Sequence, residues 1–244
     1  MPPKGSGRQN RTDVSRLCDM LFGGTPLAPY CLLWATREPR FAAFLDAWQG
    51  KIGKKLRGIG DEGGYLDLLA ELDVAHRLLA ERSFTLVYEP WIAERQRGPD
   101  FTVTFKTHTA CHVEVRRLRP SSATADAGAR LITILADKLR QLAPSAPNVL
   151  ALSGATGVTS AAQLSIVITT LAAPARQRDD AACAHLGFVN ARDLLRRLER
   201  LSAIALLEPA PAFLWEQPQP QARYPLLPDL RKAMQRALCD SVAG

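Results

Sequence analysis

Two stretches of alternating apolar and polar residues, 100–106 and 111–116, constrain the fold more than any other part of the sequence. Successive side chains of a strand point to opposite faces of a sheet, so each stretch predicts a strand with one apolar face. The apolar positions are Phe101, Val103, Phe105, Cys111, Val113 and Val115. Because only a few residues separate the stretches, they predict an antiparallel hairpin that buries this face.

The length of the turn decides which side chains of the hairpin share a face. A three-residue loop at 107–109 keeps the apolar residues together, and it pairs Asp100 with Arg116. Asp100 then lies diagonal to Glu114, with the two backbones roughly 7–8 Å apart. A four-residue loop would instead turn Asp100 toward the valines. The hairpin therefore predicts two carboxylates that are close enough to hold one hard divalent cation.

Length and cysteine content bound the class of protein. The chain has 244 residues, 47% of them hydrophobic, which is enough for one sizeable core with an appendage. Its five scattered cysteines form no C-x-x-C pair, so they predict reduced, mostly buried thiols of a cytoplasmic protein rather than a zinc ribbon or a disulfide framework. The polar N-terminus lacks the apolar core of a signal peptide, and the most apolar run, 164–173, is too short to span a bilayer.

Positive charge is concentrated near the N-terminus. The net charge is +7, and residues 1–60 contain ten lysines and arginines against four acids. A dense cluster at 51–57 has the composition of a phosphate-binding surface, although a solvated helix face explains it equally well. We expect residues 1–60 to form a basic, partly helical extension with a mobile tail at 1–12, ahead of a domain at 61–244.

Two helices are predicted in the first third of the chain. Residues 39–49 carry aromatic and leucine side chains at helical spacing and stop before Gly50. Residues 65–81 have the stronger helical pattern. Its buried stripe consists of Leu68, Leu72, Ala75 and Leu79. Glu71 lies on the shoulder of that stripe, where an acid is either a metal ligand or a structural carboxylate, and the helix alone leaves both readings open.

The middle of the chain places further elements around the hairpin. Residues 83–92 are rich in β-branched and aromatic side chains and predict a strand interrupted by Pro90. Residues 125–143 predict a helix, and residues 148–153 predict an apolar strand buried on both faces. Lys138 falls on the leucine stripe of that helix, from which it either extends to the solvent-exposed rim or points inward at an acidic site.

The last third of the chain gives weaker signals. The apolar run 157–173 suits a helix or a strand, and Asn190 can cap a helix that reaches about residue 200. The remaining predicted elements are a strand at 201–207, an extended proline-rich loop at 209–228 and a helix at 229–239.

The hairpin and its neighbours resemble a known family. The dipeptide Pro99-Asp100, a spacer of thirteen residues and Glu114-x-Arg116 on the next strand are similar to the signature of the PD-(D/E)XK superfamily, the restriction-endonuclease-like nucleases. The resemblance covers residues 65–154, in which an acid-bearing helix precedes the hairpin and a helix and a strand follow it. It implies an α/β fold with a restriction-endonuclease-like core, a mixed central sheet of about four to five strands flanked by helices, and helical C-terminal additions.

The resemblance also implies a metal site. Asp100 and Glu114 would be metal ligands, and Glu71 and the backbone carbonyl of Val115 would complete the site. Such an oxygen-rich site suits Mg²⁺ or Mn²⁺. In the family the metal activates water and neutralises charge on the phosphodiester that is cleaved.

One position departs from the family pattern. Arg116 stands where the signature has a lysine, and an arginine stabilises negative charge but cannot lose a proton to act as a base. Lys138, on a helix expected to pack over the sheet, is the residue that could take the place of that lysine.

We therefore expect a Mg²⁺-dependent nuclease, either an endonuclease or an exonuclease, that acts on DNA. Because Arg116 replaces the lysine, the alternative is a catalytically inactive module of the same fold that binds nucleic acid or a protein partner. We expect no membrane contact, and the oligomeric state is open between a monomer and a homodimer.

Overall fold

The chain is organised as two compact units. The structure is a computed structural model that describes residues 6–90, 98–119, 127–154, 157–207, 212–217 and 221–240. The first unit, Met1–Arg82, is called the helical unit here, and the second, Ser83–Gly244, the α/β unit. The division follows Arg82 rather than residue 60, so the acid-bearing helix of the resemblance belongs to the helical unit.

Four helices make up the described part of the helical unit. They are α1 (Ser6–Phe22), α2 (Ala28–Arg37), α3 (Pro39–Arg57) and α4 (Glu62–Ala80). The expectation of a mobile tail at 1–12 is wrong from Ser6 onward, because these residues belong to α1, and residues 1–5 lie outside the described residues. In α4, the Asp61 side chain caps the helix by accepting from the Gly64 N–H at 2.7 Å, and the predicted leucine and alanine stripe is buried.

Helix α3 continues past Gly50, where the sequence predicted its end. The continued part of the helix contains Gly50 and Gly53, and each glycine inside a helix costs about 1 kcal/mol relative to alanine. The side chain of Ile52 is fully buried in the added turns, and such burial contributes about 1.5–3 kcal/mol, which offsets the cost. The helix therefore reaches Arg57, and the basic cluster at 51–57 lies on its last turns.

The α/β unit is built on a six-stranded mixed sheet whose strands are ordered as in the sequence. The strands are β1 (Phe84–Tyr88), β2 (Phe101–Phe105), β3 (Thr109–Leu118), β4 (Asn148–Gly154), β5 (Leu201–Leu206) and β6 (Phe213–Glu216). The central strands β3, β4 and β5 run parallel, and β1–β2, β2–β3 and β5–β6 pair antiparallel. The predicted α/β class with a mixed sheet is thus confirmed, with one strand beyond the upper end of the expected range.

The additional strand lies in the proline-rich segment that was predicted to be a loop. β6 occupies the edge of the sheet, where a strand tolerates flanking prolines because one side of its backbone needs no partner strand. Trp215 is buried on this strand and donates from Nε1 to the Ser165 hydroxyl at 2.8 Å. The prediction of a continuous loop over 209–228 is therefore wrong at β6, and residues 208–211 and 218–220 lie outside the described part of the segment.

Helices flank the sheet. They are α5 (Ala127–Leu139), α6 (Ala161–Arg176), α7 (Asp180–His185), α8 (Ala191–Leu198) and α9 (Pro228–Gln235), the last continued by a π-helical segment, Arg236–Asp240. The ambiguous run at 157–173 is the helix α6, and Asn190 caps α8 as predicted, by accepting from the Asp193 N–H at 2.9 Å. Within the described residues, none of the helices combines the length and the apolar composition needed to cross a membrane.

A buried apolar cluster joins one face of the sheet to the flanking helices. Leu131 and Leu135 of α5 belong to it together with Leu150 of β4 and Ile204 of β5. α5 is the connection between the parallel strands β3 and β4, so it crosses this face of the sheet. The end of α5 is thereby brought over β3, the strand that carries Glu114.

The β2–β3 hairpin has the predicted faces but a different register. His112 pairs with Thr102 rather than with Thr104, and the loop is 106–108. Lys106 has a left-handed φ of 56°, so it leaves the extended strand one residue earlier than expected. A shift of two residues along one strand keeps every side chain on its own face, and the apolar residues of the hairpin are accordingly all buried.

Candidate active site

Asp100 lies at the start of β2, next to the middle of β3. The ladder ends with the pair Phe101 and Val113, and the same register continued by one residue sets Asp100 opposite Glu114. The prediction that Asp100 faces Arg116 is therefore wrong. Residues directly opposite each other have Cβ atoms about 4.5–5.5 Å apart, whereas diagonal neighbours lie roughly 7–8 Å apart. The corrected register therefore strengthens the pairing of the two acids.

Where the β2–β3 ladder ends, the Asp100 carboxylate takes the place of a backbone carbonyl as the hydrogen-bond acceptor. Its Oδ2 accepts a hydrogen bond from the Val115 N–H at 2.7 Å. Pro99, the next residue in the register, has no N–H and cannot donate to the Val115 carbonyl. The N–H and C=O of one strand residue point to the same edge, so this carbonyl faces the side on which Asp100 lies. A carboxylate and a carbonyl oxygen therefore share this edge of β3.

Glu114 forms an ion pair with a lysine of α5. Its Oε1 accepts a hydrogen bond from the Nζ of Lys138, and the side chains are only 10% and 11% exposed, respectively. The Lys138 ammonium also lies 3.4 Å from the Gln141 side-chain oxygen. Of the two orientations left open for Lys138, the structure shows the inward one. Both charged groups are fixed in place, because a buried charge that lost its partner would be left uncompensated.

Arg116 lies two residues beyond Glu114 on β3, and its side chain is exposed. No described residue forms a hydrogen bond or an ion pair with its guanidinium group. The basic group that contacts Glu114 is therefore Lys138, and Arg116 remains available to a ligand.

Glu71 has an ion-pair partner of its own. It lies on α4 in the helical unit, where its Oε2 accepts from the Nζ of Lys55 at 2.6 Å. Throughout the described ranges, no group of three or more His, Cys, Asp or Glu side chains is arranged to hold a metal ion. The Glu71 carboxylate is thus paired within the helical unit, and its membership of one ligand set with Asp100 and Glu114 stays a prediction.

Three oxygen donors of this chain, from Asp100, Glu114 and Val115, would suit a magnesium ion that keeps several water ligands. Mg²⁺ is usually bound through one or two carboxylates and retains several water ligands. Asp100 and Glu114 supply carboxylates, and Val115 supplies its carbonyl. The second carboxylate oxygen of Glu114 accepts no hydrogen bond from the part of the chain that is described. Because all of these donors are oxygens, they favour a hard cation over zinc.

His112 and Cys111, which precede Val113 on β3, are both uncharged at pH 7. His112 is buried, with its Nδ1 3.2 Å from the Thr102 hydroxyl, and burial lowers its pKa below the ordinary value of 6.5. Its imidazole is thus neutral at pH 7 and does not repel a cation bound on this face. Burial raises the pKa of Cys111 to about 12, which excludes a thiolate nucleophile here. All five cysteines are buried, as predicted.

Sequence reasoning missed three residues beside the candidate site. Gln141 follows Lys138 by three residues, and helical spacing could have identified it. Arg140 and His185 line a cavity together with Lys138, although α7 and α5 are far apart in the sequence. That proximity arises from the packing of the two helices, for which the sequence has no local signal.

Comparisons of the chain with protein-family models, with curated proteins and with solved structures give no match. The function is therefore inferred from the chemistry of this chain's own residues.

Proposed function

We propose that the protein is a divalent-metal-dependent nuclease that hydrolyses phosphodiester bonds in DNA. The observation that carries this proposal is the juxtaposition on β2, β3 and α5 of Asp100, Glu114 and Lys138. Two acids lie on adjacent strands, and a buried lysine is bonded to one of them. Carboxylates that hold a metal can activate water and neutralise charge on a phosphodiester, and a fixed cation beside them can stabilise the charge that develops.

The order of elements supports the same reading. A hairpin, β2–β3, is followed by the helix α5 and a parallel strand, β4, as the resemblance to restriction-endonuclease-like nucleases implies. Arg116 departs from the signature, but Lys138 brings an ammonium to Glu114 from the neighbouring helix. An ammonium in this position restores the charge that the signature lysine would have supplied.

Each residue has a separate task in this proposal. Asp100, Glu114 and the Val115 carbonyl would hold the ion. The bound ion would supply an activated water and neutralise charge on the phosphodiester. Val115 fixes the Asp100 carboxylate through its N–H, so one acid is oriented before substrate binds.

Lys138 acts on the phosphate side of the site. Its ammonium has three N–H donors, of which Glu114 and Gln141 take two. The third is left to donate to a phosphate oxygen or to the attacking water. A lysine held in a site from which most water is excluded stabilises negative charge more strongly than one in solvent.

A non-catalytic module that binds nucleic acid is the second candidate function. It is favoured by Arg116, which cannot accept a proton, and by the ion pair that already neutralises Glu114. In that case the basic surfaces of the protein would bind phosphates without cleavage. The net charge of +7 supports nucleic acid as the partner in both candidates.

Mn²⁺-dependent cleavage of plasmid DNA tests the proposal. We expect the wild-type protein to cleave and Asp100→Ala to lose at least about 100-fold of the rate, because a lost ligand removes several kcal/mol of transition-state stabilisation. Asp229→Ala is the matched control, since Asp229 is an exposed aspartate on α9 whose side chain is 71% accessible.

Two outcomes contradict the nuclease. The first is residual cleavage that is equal in the wild type and Asp100→Ala, which would indicate a contaminant. The second is salt-sensitive DNA binding with no cleavage by any variant, which would support the non-catalytic module.

A further inference from the structure

A cavity opens beside the candidate site, between β3, the end of α5 and the end of α7. Its volume is about 420 Å³, within the range of roughly 300–1,000 Å³ that is typical of small-ligand sites. The ionisable groups at its wall are Arg116, Asp137, Lys138, Arg140 and His185. Because Lys138 also bonds to Glu114, the cavity adjoins the proposed catalytic groups directly.

The charge of the cavity is positive. Two arginines and a lysine line it against one acid, Asp137. Lys138 is neutralised by Glu114, and Asp137 accepts from the Nη2 of Arg140 at 2.6 Å. The cation that remains uncompensated within the described residues is Arg116. A ligand that complements the excess positive charge of the cavity carries negative charge.

Arg140 is held rigidly in the wall. Its Nη1 donates to the Leu186 carbonyl at 2.9 Å, while its Nη2 bonds to Asp137. Gly187 makes this position possible, since a Cβ at this residue would lie far inside van der Waals contact with Nη1. Gly187 also has a φ of +84°, in the region that side-chain-bearing residues rarely adopt. The guanidinium is thus fixed before any ligand binds.

We propose that this cavity is a phosphate-binding subsite for the nucleic acid backbone, next to the phosphodiester that is cleaved. Arg116 provides the principal contact, and Arg140 provides a fixed second cation. This inference rests on the proposed nuclease function, because it assigns the neighbouring phosphate of the same substrate. Guanidinium groups suit the role, since their planar donors bind two phosphate oxygens at once.

Binding without cleavage tests the subsite. The probe is a short, fluorescently labelled oligothymidylate, and its dissociation constant is measured in EDTA so that no hydrolysis occurs. We expect Arg116→Gln to weaken binding about tenfold or more, since a charge-assisted hydrogen bond to phosphate is lost. We also expect the slope of log affinity against log salt to fall by about 0.7 for this variant. Arg192→Gln, at an exposed position on α8 outside the cavity, is the matched control and should change affinity less than about twofold.

A second variant tests the geometry without removing charge. Gly187→Ala displaces the Arg140 guanidinium, and we expect affinity to fall several-fold although the net charge is unchanged. A thermal melt shows whether either variant has lost its fold. Arg116→Gln alters an exposed side chain, so its result holds even if Gly187→Ala is unstable.

Two results would overturn the subsite. One is equal weakening by Arg116→Gln and Arg192→Gln, which would indicate only a general charge effect. The other is competition by thymidine monophosphate or inorganic phosphate at the same affinity as the oligonucleotide, which would identify a site for free phosphate compounds. Failure of the nuclease proposal is seen separately in the cleavage assay, either as cleavage that does not depend on Asp100 or as no cleavage by any variant.

Discussion

Two lysine–glutamate pairs in this protein have the same chemistry and different surroundings. In the helical unit, Lys55 of α3 bonds to Glu71 of α4, with the side chains 32% and 13% exposed. In the α/β unit, Lys138 bonds to Glu114, and both side chains are near 10% exposed. The second pair has an additional acid opposite it, Asp100, and an exposed arginine beside it. A candidate active site is thus distinguished by what surrounds an ion pair and not by the pair itself.

The largest expected difference between the two pairs is in catalysis. Glu114→Gln should lower Mn²⁺-dependent cleavage at least about 100-fold, because a neutral amide is a poorer ligand for a hard cation. Glu71→Gln should change it less than about twofold, since that carboxylate has a structural role in α3–α4 packing. Initial rates on plasmid DNA provide the measurement. A loss of similar size in Glu71→Gln would show that Glu71 contributes to catalysis.

The next difference is in stability. Lys138→Met should lower the free energy of unfolding by about 3–5 kcal/mol, because it leaves Glu114 buried without a partner. Lys55→Met should cost less, since the Lys55 side chain is 32% exposed and solvent screens its attraction to Glu71. Chemical denaturation of both variants measures the two costs. In the double variant Glu114→Leu/Lys138→Met we expect most of the loss to be recovered, and equal costs in the two single variants would contradict the distinction.

The smallest effect concerns pH, and here the two units should behave alike. His76 in the helical unit stacks on Trp34 at 5.3 Å, and burial lowers the pKa of His76 and of His112 below 6.5. A histidine with a lowered pKa binds its proton more readily when the protein is unfolded. Stability is therefore complete above about pH 6.5 and decreases as pH falls below it, by at most about 1.4 kcal/mol per pH unit for each histidine.

Melting temperatures between pH 7.5 and 5 measure this dependence. His112→Gln should flatten the acidic side of the profile, because it removes one of the two histidines whose pKa is lowered by burial. A profile that is identical in the wild type and His112→Gln would show that His112 is not titrating on unfolding.

Local patterns predicted much of the fold. The alternation in 100–116 gave the faces of the hairpin, and the leucine stripe from Leu68 to Leu79 gave the core side of α4. The register was wrong by two residues because Lys106 adopts a left-handed conformation, for which a lysine has no sequence signal. The strand β6 was missed because its prolines are tolerated only at a sheet edge, and edge position depends on the whole sheet.

The candidate site was predictable where it depends on one hairpin and unpredictable where it depends on packing. Asp100 and Glu114 were identified as neighbours because side chains alternate between the two faces of a strand, and this alternation alone places both acids on one face. The partner of Lys138 depended on where α5 crosses the sheet, so the sequence left two orientations open. The pairing of Glu71 with Lys55 was not predicted, because periodicity shows which side of a helix is buried but not which group it meets.

Isothermal titration of the metal-free protein with Mn²⁺ measures whether Asp100 and Glu114 hold an ion together. We expect one ion per chain, with affinity weakened at least about tenfold by Asp100→Asn and by Glu114→Gln and unchanged by Glu71→Gln. Wild-type affinity in both the Asp100 and Glu114 variants would contradict a metal site built from the two opposed carboxylates of the hairpin.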